Sequence, residues 1–227
     1  MRKLPATPTK GETILATIYL ALELLIIPSI LLIVNMLLPQ PLNDARLNLV
    51  FFALNFVVVG LILRKLIGKN LIATHPGNLL GCALKGLLLY WSLNCLVVLF
   101  ILLIDPDFVN INDSSVANMV KQDFLVSVIG TVLLAPPCEE LLFRGVIFGS
   151  LYNRRPIASY ILSAVCFSAV HLLGYIGLYP WDTLLLCFLQ YIPAGIALAW
   201  AYVRSGSILA PIIMHTIVNA IGIASMR

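Results

Sequence analysis

Residues 124–152 read FLVSVIGTVLLA (124–135), PPCEELLFRG (136–145) and VIFGSLY (146–152). Both flanks are apolar enough to enter a bilayer, yet the middle carries Glu139, Glu140, Arg144 and two adjacent prolines. Three charges at mid-membrane cost on the order of 8 to 10 kcal/mol on translocon-type scales, against a gain of about 0.3 to 0.6 kcal/mol for each Leu, Ile or Phe. Such a segment must face protein or trapped water, not lipid. Pro136 and Pro137 lack N–H donors and clash with a continuing helix, so a break and restart is expected there. Glu139 and Glu140 then fall in the first turn of a half-helix, at the positive pole of its dipole. Glu140 and Arg144 are spaced i, i+4 and can pair. Glu139, rotated by about 100°, points elsewhere and stays available. Taken alone, the three charges also suit a structural ion cluster joining helices.

The rest of the chain agrees with a membrane setting. Of 227 residues, 61% are hydrophobic and 11% charged, where soluble domains carry about a quarter charged residues. Mean hydropathy is +1.02. Apolar runs cover 14–38, 47–67, 79–104, 124–152, 157–173, 183–202 and 208–224. The expected fold is all-α: a polytopic transmembrane helical bundle of about seven spans, the fourth broken by proline. Residues 1–120 supply three spans and 121–227 about four. The first run is longer than a signal-peptide core and is expected to remain as a span. No Cys stands four from the end, so the chain is not expected to be a prenylation substrate itself.

Lys and Arg are scattered between the runs instead of forming a stripe, which argues against nucleic acid as a partner despite the net charge of +4. They read as topology signals. Arg2, Lys3, Lys10, Arg64, Lys65, Lys69, Arg154, Arg155 and Arg204 fall on one side, and Arg46, Lys121 and Arg227 on the other. The positive-inside rule then puts the N-terminus in the cytosol and the C-terminus outside. The acidic loop around Asp105, Asp107 and Asp113 becomes the largest external connection and is expected to carry a short surface helix. Cys82, Cys95, Cys138, Cys166 and Cys187 all lie in apolar runs without a metal or redox spacing, and read as small buried residues. Lys85 is placed to snorkel. Glu23, midway along the first span, reads equally as a cavity group or as a protonated packing group.

Two further spans carry polar residues where an apolar helix has no need of them: Phe167 to His171 in the fifth, and His215 with Asn219, one turn apart, in the seventh. Counted from Arg154, Arg155 and Arg204, the residues Glu140, His171, His215 and Asn219 lie about 11 to 16 residues in. At about 1.5 Å per residue they share a slab roughly 16 to 24 Å from the inner boundary. Three spans thus bring two carboxylates, two imidazoles and an amide to one depth.

Glu139-Glu140-x-x-x-Arg144, Phe167-x-x-x-His171 and His215-x-x-x-Asn219 occur in the order of the E-E-x-x-x-R, F-x-x-x-H and H-x-x-x-N/D motifs of the CAAX-protease and bacteriocin-processing family, which the chain resembles over roughly 122–224. The resemblance implies an intramembrane endopeptidase related to type II CAAX-prenyl proteases. Its catalytic core would occupy 121–227, with Glu139 and His171 activating water and His215 and Asn219 stabilising the oxyanion. Glu140 and Arg144 would brace the site. A membrane-associated peptide or protein is the implied substrate, the bilayer its partner, and a bacterial cell membrane its location.

Amide hydrolysis needs a nucleophilic water, a base, an oxyanion stabiliser and an acid for the leaving amine, and these residue types can supply them. The expected site needs no metal. A zinc site of Glu139, His171 and His215 with an open position remains as an alternative, and Cys138 beside a histidine is a weaker one. A non-catalytic immunity factor or scaffold of the same family is the alternative of a different class. A transporter fits less well, because its repeated halves usually carry paired breaks and the sequence shows only one.

Overall fold

Short polar residues cap four of the helices. Thr9 opens α1 (Lys10–Leu25) with a reciprocal capping box: its hydroxyl accepts from the Glu12 amide at 3.2 Å, and the Glu12 carboxylate accepts from the Thr9 amide at 2.9 Å. The other Glu12 oxygen accepts from the Leu66 amide at 2.8 Å, which ties α1 to the basic helix α4 (Arg64–Ala73). Asn43 caps α3 (Asp44–Ile62), Asn110 caps α6 (Ile111–Gln122), and Asp123 caps the helix that starts at Phe124. The computed structural model describes residues 3–227. Arg2, counted above among the inner charges, lies outside the described residues.

Each of the seven apolar runs is helical. The first is α1 followed by α2 (Ile27–Leu37), bent by 45°. This bend was not anticipated; Pro28 in the first turn of α2 explains it, because its ring excludes the carbonyl four residues back. The others are α3, α5 (Pro76–Ile104), α7 (Phe124–Tyr152), α8 (Pro156–Val170), α9 (Trp181–Ser205) and α10 (Leu209–Ser225). Helices α3, α5, α7 and α9, with the bent α1–α2 pair, are long and apolar enough to cross a bilayer. α8 and α10 are shorter, at 15 and 17 residues. The chain is a helical membrane bundle, and α6 is the short helix expected in the acidic loop.

Half of the apolar window of α7 and of α9 is buried, against 17% for α3 and 11% for α5. α7 and α9 therefore form the middle of the bundle. Ile14, Leu25, Leu37, Leu61 and Leu103 face outward, as lipid contact requires. At Gly195 of α9, an added Cβ would stand 2.6 Å from the Ala164 Cα of α8, so only glycine permits this approach of backbones. All five thiols are free. Cys95, read as buried, is exposed on the flank of α5, while Cys82, Cys138 and Cys187 are buried.

The expected break in the fourth span takes another form. α7 runs on through Pro136 and Pro137, and the disturbance is absorbed by widened π-type turns on either side, Val128–Leu134 and Leu141–Phe148, around an α-helical turn Ala135–Glu140. The Ala135 amide reaches back five residues, to the Gly130 carbonyl. Widening the turn relieves the clash of the proline rings without ending the helix. It leaves the Thr131 carbonyl without a helical donor, since the next amide in that register belongs to Pro136.

Candidate active site

The site forms where α7, α8, α9 and α10 meet. Within α7, Glu139 and Glu140 diverge as their spacing requires. The Glu140 side chain is wholly enclosed, whereas that of Glu139 is 18% exposed and lines a cavity of about 920 Å³. Arg144, also wholly enclosed, donates from Nη1 to Glu140 Oε1 at 2.9 Å. Its Nη2 lies 3.4 Å from the Ala194 and Gly195 carbonyls of α9. The guanidinium lies over the Phe167 ring of α8 at 4.1 Å. One side chain thus joins three helices, which is what a buried cation requires to offset its lost hydration.

Glu140 has a second partner that sequence spacing did not reveal. His215 Nδ1 lies 2.9 Å from Glu140 Oε1, so Nδ1–H donates to the carboxylate and fixes the ring. Its Nε2 then faces Glu139, 3.8 Å from Oε2. Arg144, Glu140, His215 and Glu139 form a chain running from the enclosed core to the cavity wall.

His171 stands at the C-terminal cap of α8, not midway along a span. Its Nδ1 is 2.7 Å from the Phe167 carbonyl, an acceptor only, so Nδ1 carries the proton and Nε2 keeps its lone pair. Tyr191 of α9 stacks on the imidazole, with centroids 4.2 Å apart and planes at 21°. Phe167 packs against both imidazoles, at 4.7 Å from His171 and 5.8 Å from His215, and so spaces them. Asn219, one turn beyond His215, donates from Nδ2 to the Thr131 carbonyl at 2.9 Å, the acceptor that Pro136 leaves open. Its second amide hydrogen is not used in that bond.

Glu139, His171, His215 and Asn219 all line the one cavity. Tyr191 was not singled out from the sequence, although Gln190-Tyr191 is a polar pair within an apolar helix and was a usable signal. In the wall of the same cavity, Asn112 donates to the Tyr191 hydroxyl at 3.0 Å, and that hydroxyl lies 3.4 Å from Asp113. Burial pushes the Asp113 carboxyl up from its ordinary range, and the Tyr191 hydrogen bond opposes the shift. Among the described residues no three His, Cys, Asp or Glu side chains converge as a metal-ligand group. Cys138 is buried, with Sγ on the Leu134 carbonyl at 3.1 Å, and does not line the cavity.

Comparison with known proteins finds relatives of part of the chain. Residues 121–221 match a family described as Type II CAAX prenyl endopeptidase Rce1-like. The UPF0177 protein YxdF of Lactococcus lactis subsp. lactis (strain IL1403) is 30% identical over 95 residues, which are 42% of this chain and 47% of that protein. The match thus spans about half the length of that relative. No solved structure matches the chain. Across residues 121–221, a stretch that contains Glu139, Glu140, Arg144, His171, His215 and Asn219, this integral membrane protein is similar to the Rce1-like type II CAAX prenyl endopeptidases.

Proposed function

We propose that the chain is an intramembrane endopeptidase that hydrolyses a peptide bond of a membrane-associated peptide or protein, using a water activated by Glu139 and His171. The observation that carries this reading is the gathering of Glu139, His171, His215 and Asn219 around one cavity inside an apolar bundle. Such a cavity keeps water few and held, and it raises the worth of every charge near the reacting carbonyl. Residues 121–227 are the catalytic core in this reading, and 1–120 complete the wall. The substrate and the bilayer are the partners, with no role for nucleic acid. The protein sits in a cell membrane with its N-terminus inside and its C-terminus outside.

The reaction needs no group beyond these side chains. Water held between the Glu139 carboxylate and the free Nε2 of His171 loses a proton to that pair as its oxygen bonds to the carbonyl carbon. The oxyanion so formed accepts from the second Asn219 amide hydrogen and is stabilised by His215, whose ring Glu140 orients through Nδ1. When the C–N bond breaks, the proton taken from water passes to the leaving amine, which restores the base. Arg144 touches none of the reacting atoms and acts through Glu140.

The test is cleavage of membrane-associated peptides by detergent-purified protein beside its Glu139→Gln variant. Glu139→Gln keeps shape and removes the base, so hydrolysis should vanish while the melting temperature stays. His171→Ala should lose hydrolysis likewise. Full activity in Glu139→Gln would end the assignment, and a folded wild type that cleaves nothing would favour the scaffold or immunity role.

A further inference from the structure

Glu23 of α1 is 6% exposed and lines the same cavity. Asn55 of α3 donates from Nδ2 to Glu23 Oε1 at 2.9 Å, and Asn55 Oδ1 accepts from the Tyr19 hydroxyl. The other carboxylate oxygen, Oε2, has no hydrogen-bond partner. A carboxylate withdrawn from water and held by one amide is costly unless a proton or another positive group joins it.

The surrounding wall favours such a group. Glu139 and Asp113 are its other carboxylates, and among the described residues it contains no Lys or Arg. Phe51 and Phe52, a pair with centroids 5.1 Å apart, line it one turn before Asn55 on α3. Tyr90 and Trp91 line it from α5. Aromatic faces attract ammonium and guanidinium groups. In a low-dielectric enclosure, an anionic group would be repelled by the same carboxylates that draw a cation in.

We propose that Glu23 is a specificity residue that receives a cationic side chain, a guanidinium or ammonium, of a peptide bound in this cavity. The identity of the occupant as a substrate rests on the protease reading above. Asn55 positions the carboxylate through Oε1 and leaves Oε2 for the ligand. Glu23 shares its cavity with Glu139, His171 and His215, so the protein selects peptides that carry a basic residue within reach of the bond it cuts.

Binding can be read without hydrolysis. The probes are an N-acetylated, C-amidated pentapeptide of leucine and phenylalanine with a central arginine, and its citrulline counterpart, which has the same shape without the charge. Titration of the detergent-purified protein is followed by tryptophan fluorescence, since Trp91 is in the wall. The arginine peptide should bind about tenfold tighter or more. In Glu23→Gln, which retains the oxygen that Asn55 holds, that advantage should shrink to about twofold or less, with citrulline binding unmoved.

Equal affinity for the two peptides in wild-type protein overturns the proposal. So does an advantage that survives in Glu23→Gln, including one lost only in Asp113→Asn, which would move the cation to Asp113. Should Glu23→Gln fail to fold, photo-crosslinking of wild-type protein by an arginine peptide with an adjacent diazirine decides: label on α1 around Glu23 supports the assignment, and label confined to α6 refutes it. A charge preference in protein that cleaves nothing sustains the subsite while the protease reading falls. Cleavage without the preference does the reverse.

Discussion

Replacing Arg144 by Ala is expected to loosen the bundle before it touches the chemistry. The substitution removes the Nη1 bond to Glu140 at 2.9 Å, the two carbonyl contacts to α9 at 3.4 Å and the guanidinium face on Phe167 at 4.1 Å. It strands a wholly enclosed carboxylate. Breaking a buried pair in this way costs about 3 to 5 kcal/mol. His215 still donates to the same Glu140 oxygen, which places the loss near the lower figure, about 3 kcal/mol. At about 2 to 4 °C per kcal/mol for a chain of this size, the melting temperature should fall by roughly 6 to 12 °C. Circular dichroism melts and size-exclusion profiles of purified protein measure this. A double variant, Glu140→Gln with Arg144→Met, should recover much of the loss, because no charge is then left unpaired. An Arg144→Ala protein that melts with the wild type yet has no activity would refute the bracing role and put Arg144 among the reacting groups.

Gly195→Ala should destabilise by about 1 to 3 kcal/mol, because the new Cβ meets the Ala164 backbone at 2.6 Å and no rotamer can relieve it. A melt of that variant equal to wild type would mean that α8 and α9 do not pack this closely. Asn219→Ala should slow hydrolysis by about 100- to 1,000-fold if it supplies one oxyanion donor, and should also lower the melting temperature by leaving the Thr131 carbonyl unpaired. Adding Pro136→Ala to that variant returns a backbone N–H facing Thr131, so the melting temperature should rise while the rate stays low; joint recovery of both would remove Asn219 from the chemistry. Hydrolysis should persist after treatment with a membrane-permeant chelator. Stoichiometric zinc in active protein, whose removal stops turnover and whose return restores it, would reverse that expectation.

Much of the fold was legible because lipid imposes a simple rule on sequence. Seven apolar runs became helical segments, and the loop around Asp113 became α6. The divergence of Glu139 from Glu140 followed from helical rotation alone. What spacing could not show was contact between distant helices: the bond from His215 to Glu140, the stack of Tyr191 on His171, and the link from Asn55 to Glu23 join residues far apart in the chain. The prolines misled in a different way. A rule that equates Pro-Pro with a broken helix ignores the option of a wider turn, and only the packing around α7 decides between them. The bend at Pro28 lies in an apolar run with no charge beside it to mark a break in the sequence.

The carbonyl left open at Thr131 makes the amide of Asn219 a fastener and, in the proposed reaction, a reagent as well. A side chain that must turn toward a substrate oxygen while anchored to the backbone of a neighbouring helix cannot turn far. Its aim is therefore set by the shape of α7, through Pro136, and not by rotamer choice within α10. Any lipid or substrate that straightens or compresses the widened turn from Val128 to Leu134 will re-aim that donor from a distance. If the proposed reaction holds, the thickness of the surrounding bilayer is thereby a mechanical input to its rate.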